Sequence, residues 1–242
     1  MQILSETIKL YAVPESTYCA RVRLVLELKS LAYTEHRPPG GTYQSEDYRR
    51  LVPAGSVPAI EIDGTIINDS DAIVELLEDL FPEPKLRPGD PFERAFLKSV
   101  SRFHDTRLEP ALRALFPLVG NPKGADRAAG LADGLNEHLG RLDRIINPGP
   151  YLGGESLSLA DYAYATTLFM IEDVASCLNM NAGLSRKIRN WRDALQQADV
   201  VQDAIDENRA AIAAWLDSKL SPPGTGRISP TPTGRGKAPA TT

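Results

Sequence analysis

Residues 56–73 read SVPAIEIDGTIINDSDAI, and this segment decides the fold of the first part of the chain. Two short apolar runs are separated by Asp63 and Gly64, a pair typical of the tight turn in a β-hairpin. The segment therefore predicts two antiparallel strands that meet at this turn.

The elements around the hairpin predict an α/β domain. Upstream, the apolar spacing indicates a strand at 8–13, a helix at about 18–30 and a second strand at 33–37. A strand, a helix and a strand in this order build a parallel pair joined by a crossover helix. The polar stretch 40–50 is expected to be irregular. After the hairpin, Asp69 or Ser70 is placed to cap a helix that runs to about Leu80.

A linker and a helical domain follow. Residues 82–90, PEPKLRPGD, contain three prolines and one glycine, which is typical of a linker between domains. Beyond it the spacing is helical at 91–109, 125–146, 158–175, 184–197 and 200–216. We therefore predict an α/β domain (1–81), a linker (82–90) and an all-helical domain (91–220). Residues 221–242 have almost nothing apolar to bury, so they are predicted to be disordered.

Charge and composition argue against several classes of protein. The chain has a formal net charge of −5, and 221–242 contains three basic residues and no acid, which leaves −8 on 1–220. An acidic body argues against nucleic acid as a partner. No apolar run approaches the roughly 18 residues of a membrane span, and we expect no targeting leader.

The cysteine spacing and the lack of short catalytic motifs argue against further classes of protein. Cys19 and Cys177 form no CxxC pair, so neither a disulfide framework nor a zinc site is indicated, and reducing cytoplasmic surroundings fit best. The chain contains no HExxH, P-loop or GxGxxG motif. A metal or nucleotide enzyme is therefore disfavoured.

Three landmarks together resemble the cytosolic glutathione transferase superfamily over about residues 8–216. They are STYCARVRLVLELK at 16–29, SVPAIEIDG followed by NDSDAI at 56–73, and SLADYAYA at 158–165. The resemblance implies a thioredoxin-like first domain, an all-helical second domain, glutathione as co-substrate and a symmetric homodimer.

Within that superfamily the spacing is similar to the zeta class. A serine stands five residues before an RVRxxLxLK run, and Gly40 and Gly41 precede the dipeptide Val57–Pro58 by the zeta spacing. The zeta class carries a Ser-Ser-Cys triplet where this chain has Ser, Thr and Tyr at 16–18. The landmarks therefore predict a serine-type enzyme with a zeta-like first domain.

Ser16 is the predicted catalytic residue. A free thiol with a pKa of about 8.5 is mostly protonated at neutral pH, so glutathione needs help to react as its thiolate. The Ser16 hydroxyl can donate to a sulfur at the helix N-terminus, where free N–H groups also favour an anion. The alternative is a simple helix cap, with Thr17 as the substitute hydroxyl. Cys19 is expected to be packed, because relatives that use a cysteine place it at the position of Ser16.

The rest of the glutathione site is assigned through the resemblance. In this family the peptide bond before Pro58 is cis, and the backbone of Val57 pairs with the cysteinyl backbone of glutathione. Ser70 is expected to bind the γ-glutamyl carboxylate and Asp69 the ligand's ammonium, although both residues also suit plain helix capping. At the glycine end, the candidates are Arg37 and Gln44, which are otherwise solvated residues.

The resemblance also implies a site for the electrophile, lined by Tyr18 and by the first long helix of the second domain. On that helix Phe103, His104, Arg107 and Ala111 fall on or near one face. His104 and Arg107 would suit an anionic substrate; the alternative is that they are ordinary surface residues.

Two further features of the helical domain are expected to be structural. Pro110 lacks a backbone N–H, so it should kink the helix near Glu109. Ser158 and Asp161 have the spacing of a capping box.

The activity implied by the resemblance is transfer or addition of the glutathione thiolate to a small electrophile, as in detoxification. Conjugation of a halide or epoxide, zeta-type isomerisation, ether cleavage and reductive dehalogenation all start from that thiolate, and all four stay open. A non-catalytic binding or regulatory protein with the same fold is the alternative from another class.

Overall fold

The computed structural model describes residues 8–121 and 125–221, which divide into two compact units between Lys85 and Leu86. This division falls within the segment predicted as a linker. The predicted tail, 221–242, lies outside the described residues apart from Ser221. Within the described ranges, no helix combines the length and the apolar character that crossing a bilayer requires.

A four-stranded mixed sheet forms the first unit. Its strands are β1 (Ile8–Tyr11), β2 (Tyr33–His36), β3 (Ala59–Ile62) and β4 (Thr65–Asn68), in the spatial order β2-β1-β3-β4. β1 is parallel to β2 and antiparallel to β3, and β3 is antiparallel to β4. At the hairpin turn, Asp63 and Gly64 both have positive φ, 50° and 72°, which this tight turn requires. The predicted thioredoxin-like α/β unit is confirmed.

Three helices accompany the sheet: α1 (Thr17–Leu28), α2 (Glu46–Leu51) and α3 (Ser70–Leu80). α1 and α3 pack against each other. α2 corrects the expectation of an irregular stretch at 40–50. Its first turn is capped by Ser45, and its only fully buried side chain is Tyr48, whose hydroxyl donates to the carbonyl of Ser56 at 2.9 Å.

The second unit is helical, as predicted. Its α-helices are α4 (Pro91–Phe103), α5 (Glu109–Arg113), α6 (Ala125–Ile145), α7 (Leu159–Tyr164), α8 (Thr167–Cys177), α9 (Arg186–Gln197) and α10 (Asp199–Leu220). The helix predicted at 158–175 is two helices, α7 and α8, separated by a turn at Ala165 and Thr166. The helix predicted at 91–109 changes to π-helical geometry at His104–Leu108, directly before Glu109 and Pro110.

A buried carboxylate organises the start of α7. Asp161 accepts hydrogen bonds from the backbone and hydroxyl of Ser158 (2.9 and 2.7 Å), the Leu152 amide (3.0 Å) and the Trp191 indole (2.9 Å). The predicted capping box is therefore present. Because Leu152 and Trp191 lie outside α7, the same carboxylate also ties the preceding loop and α9 to this helix.

Candidate active site

Ser16 is the N-cap of α1. Its hydroxyl oxygen accepts a hydrogen bond from the Cys19 amide at 3.3 Å, and the residue is half-buried. An accepting hydroxyl still has its own hydrogen to donate. Ser16 can therefore cap the helix and donate to an anion at once. Thr17, the substitute hydroxyl, is buried in the first turn of α1.

Cys19 is a packed residue, as predicted. Its side chain is fully buried, and burial raises the pKa of the thiol, although Arg23 and the Ser16 hydroxyl act in the opposite direction. A raised pKa keeps the thiol protonated at neutral pH. Since the thiolate is the reactive form, Cys19 is not suited to nucleophilic chemistry.

The Val57–Pro58 peptide bond is cis, as expected from the family resemblance. Val57 lies just before β3 and packs against the small cluster of Tyr48, Val52 and Ala59. Within the part of the chain that the structure describes, the N–H and C=O of Val57 make no backbone hydrogen bond. This short stretch of backbone is therefore available to pair with an extended peptide ligand.

Asp69, not Ser70, caps α3. The Asp69 carboxylate accepts from the amides of Asp71 (2.9 Å) and Ala72 (3.2 Å). Its φ of +81° lies in the region that non-glycine residues rarely adopt. Such backbone strain often marks a functional position. Ser70 is the first residue of α3 and is buried.

Ser70 is held by a buried arginine to which the family resemblance assigns no role. Arg21 of α1 is only 1% exposed, and it donates to the Ser70 hydroxyl at 3.3 Å and to the Asp71 carboxylate at 2.9 Å. The sequence does contain a signal: Arg21 shares the apolar stripe of α1 with Leu24 and Val25. A charge on a buried stripe requires a partner.

Arg37 and Gln44 are both exposed, in the segment between β2 and α2. The backbone N–H of Gln44 donates to the Thr42 hydroxyl at 3.3 Å. Their assignment to the glycine end of glutathione stays a prediction.

The candidates for the electrophile site differ widely in exposure. Tyr18, in the first unit, is half-buried. In the second unit, Phe103 is half-buried with its ring edge-on to His138, Ala111 packs against the helical core, and Arg107 is exposed.

His104 does not share an exposed face with Arg107, which corrects the expectation from helical spacing. It is buried, and its ring nitrogens contact the Asp105 carboxylate and the Thr167 hydroxyl, each at 2.8 Å. Its ring also lies edge-on to Tyr164. Both nitrogens of His104 are thus engaged inside the second unit, which leaves Arg107 as the exposed cation.

Known proteins that match this chain decide its family. Residues 10–85 match the glutathione S-transferase N-terminal domain, and residues 125–218 match the C-terminal domain. The maleylacetoacetate isomerase of Rattus norvegicus is 33% identical over 165 residues, which are 64% of this chain and 74% of that protein. The chain belongs to the glutathione S-transferase family.

Other relatives agree with the zeta-like character of this transferase. Glutathione S-transferase Z2 of Arabidopsis thaliana is 27% identical over 212 residues, covering 84% of this chain and 92% of that protein. The predicted enzyme class and co-substrate, a transferase that uses glutathione, are confirmed.

Solved structures confirm the fold of the transferase. The Bombyx mori glutathione transferase BmGSTD1 has a TM-score of 0.74 at 22% identity and covers 90% of this chain and 100% of its own. A theta class enzyme from Xanthomonas axonopodis pv. citri, solved with glutathione bound, has a TM-score of 0.68 at 22% identity, with coverages of 82% and 97%.

Proposed function

We propose that this transferase binds glutathione at the N-terminal ends of α1 and α3 and activates its thiol for attack on, or addition to, a small electrophile. One observation carries the proposal. The hydroxyl-bearing start of α3, at Ser70, is held by the buried side chain of Arg21, which lies on α1 five residues after the N-cap Ser16. Two helix N-termini suit two of the three anionic groups of the ligand, the thiolate and the γ-glutamyl carboxylate.

Each group of glutathione has a proposed partner. Ser16 donates to the sulfur, and the backbone of Val57, before the cis Pro58, pairs with the cysteinyl unit. Ser70 binds the γ-glutamyl carboxylate, and Asp69 binds the ammonium. Arg37 and Gln44 remain the proposed partners of the glycine carboxylate, since their exposed side chains carry hydrogen-bond donors.

The proposed contacts of the electrophile are those that the family resemblance implies, namely Tyr18, Phe103, Arg107 and Ala111. Aromatic and apolar side chains suit the body of an organic electrophile, and Arg107 suits a carboxylate on it. His104 is left out of this set, because both of its ring nitrogens are engaged within the helical unit.

Turnover by Ser16→Ala tests the central role. We expect the purified protein to consume glutathione with at least one electrophile from a panel of halides, epoxides, aryl ethers and haloquinols. Removing the hydroxyl should lower kcat/KM by about tenfold to a hundredfold, because one hydrogen bond to the developing anion is lost.

The matched control is Ser185→Ala. Ser185 caps α9 as Ser16 caps α1, accepting from the Ile188 amide at 3.1 Å. Because the Ser185 hydroxyl also donates to the Asp143 carboxylate, Ser185→Ala should cost at least as much stability as Ser16→Ala, about 1–3 kcal/mol, without changing turnover. Unchanged turnover in Ser16→Ala would remove Ser16 from the catalytic role.

Glutathione-dependent isomerisation is the second candidate function. It is favoured because relatives that are 30–33% identical, from Rattus norvegicus, Mus musculus and Pseudomonas aeruginosa, are maleylacetoacetate isomerases. The thiolate would add to a cis carbon–carbon double bond, the resulting single bond would rotate, and elimination would release the trans product and the thiolate. A cis-dienone separates the two functions: isomerisation leaves the glutathione concentration unchanged, whereas conjugation consumes it.

We further propose a homodimer that acts in the cytoplasm, where reduced glutathione is available, in detoxification. The dimer is supported by an exposed aromatic pair on α4: Phe92 is 85% exposed and Phe96, one turn later, is 44% exposed. Adjacent exposed aromatic side chains are typical of protein interfaces.

A further inference from the structure

Two buried ion pairs join α1 to α3 in the first unit. Near the start of both helices, Arg21 pairs with Asp71 at 2.9 Å. At the opposite end, Lys29 pairs with Glu78 at 2.6 Å and also donates to the carbonyls of Phe81 and Pro84. The two helices therefore run in the same direction and are tied together at both ends.

Only the first pair reaches the proposed glutathione site. Besides Asp71, Arg21 donates to the hydroxyl oxygen of Ser70 at 3.3 Å. Arginine has donors and no acceptor, so Ser70 must accept in this contact. The hydrogen of the Ser70 hydroxyl then points to some other acceptor. A carboxylate only accepts, so the γ-glutamyl carboxylate needs the hydroxyl in this orientation.

Because Arg21 is part of α1, its contact with Ser70 also connects α1 to the start of α3. Arg21 lies five residues after Ser16 on one continuous helix, and its side chain is 1% exposed. Hydrogen bonds to charged groups are stronger than neutral ones, and burial strengthens them further. The two contacts of the Arg21 guanidinium, with Ser70 and Asp71, therefore hold the start of α3 against α1. The start of α3 faces one end of the proposed ligand, and α1 carries Ser16.

We propose that Arg21 is a positioning residue of the glutathione site. It orients the Ser70 hydroxyl, at the N-terminus of α3, as a donor to the γ-glutamyl carboxylate. Arg21 itself touches no substrate. Asp71 balances the guanidinium charge, which offsets the cost of burying it. This role rests on the proposed glutathione site.

Arg21→Lys is the test variant, because lysine keeps a cation beside Asp71 but lacks the planar fork that reaches two partners. Calorimetric titration with glutathione should give a Kd about tenfold weaker than that of the unchanged protein, similar to Ser70→Ala. In the Ser70→Ala background, Arg21→Lys should weaken binding no further, because the two residues act through one contact. With γ-aminobutyryl-cysteinylglycine, which lacks the γ-glutamyl carboxylate, the unchanged protein and Arg21→Lys should bind equally.

The reciprocal exchange, Lys29→Arg, is the matched control. It alters the other buried pair between the same two helices, far from Ser70, so it should leave the Kd for glutathione unchanged even where the unfolding temperature falls. Equal glutathione affinity in Arg21→Lys and the unchanged protein would overturn the proposal. If Lys29→Arg lost as much affinity for glutathione as Arg21→Lys, the proposal would also be overturned. The same holds if Arg21→Lys lost as much affinity for the analogue as for glutathione. In either case Arg21 would have only a packing role. Failure of the unchanged protein to bind glutathione would instead reject the site itself, and this role with it.

Discussion

At the residue scale, the sequence identifies the hydroxyl groups of the site but not what orients them. Ser16 and Ser70 are predictable because each stands at the start of a helix and matches a family landmark. The role of Arg21 is not predictable, because its partner Asp71 lies 50 residues away and a single sequence does not show which distant residues meet. The burial of His104 is not predictable from the sequence, because helical spacing cannot anticipate the π-helical turn at His104–Leu108.

A prediction at this scale concerns Cys19. Burial raises its pKa, so at neutral pH a larger fraction stays as thiol than in a free cysteine. We expect iodoacetamide to leave Cys19 unlabelled in the native protein and to label it in denaturant, with peptide mass spectrometry as the readout. Cys19→Ala should keep glutathione turnover and lower stability by about 1 kcal/mol, or roughly 2–4 °C. Rapid native labelling, or a large loss of turnover, would contradict the packed role.

At the element scale, the clearest local signals gave the correct elements. Asp63 and Gly64 demand a tight turn, so the hairpin is predictable, and the helical spacing of apolar residues indicates α1. The six residues of α2 are too few to show a helical period, so that helix was missed. The division between α7 and α8 was also missed, because nearly all residues there are buried and the sequence has no polar face to mark a break.

Asp161 provides the prediction for elements. Its carboxylate accepts four hydrogen bonds that join α7, the preceding loop and α9. Asp161→Asn replaces one acceptor oxygen with a donor, so unfolding should cost about 3 kcal/mol less, a fall of roughly 6–12 °C in the unfolding temperature. The Kd for glutathione should not change. The exposed cap Asp90, changed to Ala, should cost only about 1 kcal/mol. A stable Asp161→Asn variant that had lost glutathione binding would reverse this assignment.

At the scale of the whole molecule, the order of sequence patterns predicted an α/β unit followed by a helical one, because the strand patterns end at a proline-rich segment. The oligomeric state is harder to predict from the sequence, because a sequence does not distinguish exposed apolar residues from buried ones. Phe92 illustrates this, because its position on α4 does not reveal that it is 85% exposed.

The proposed homodimer gives the prediction at this scale. Sedimentation should show a dimer at micromolar concentration, and Phe92→Glu should shift it to monomer, because a charge would be buried without a partner. Val200 is also exposed and apolar, on α10, so Val200→Glu should leave the dimer intact. A monomer in the unchanged protein would end the proposal.

The central claim, that the Ser16 hydroxyl at the start of α1 stabilises the glutathione thiolate, is tested most directly by the pKa of the bound thiol. Ultraviolet absorbance of the thiolate, titrated against pH in the presence of saturating glutathione, measures that pKa in the unchanged protein and in Ser16→Ala. We expect a pKa well below the free value of about 8.5 in the unchanged protein and a rise of about one unit in Ser16→Ala, equivalent to one lost hydrogen bond. Ser185→Ala should not change it. The same pKa in Ser16→Ala and the unchanged protein would contradict the account.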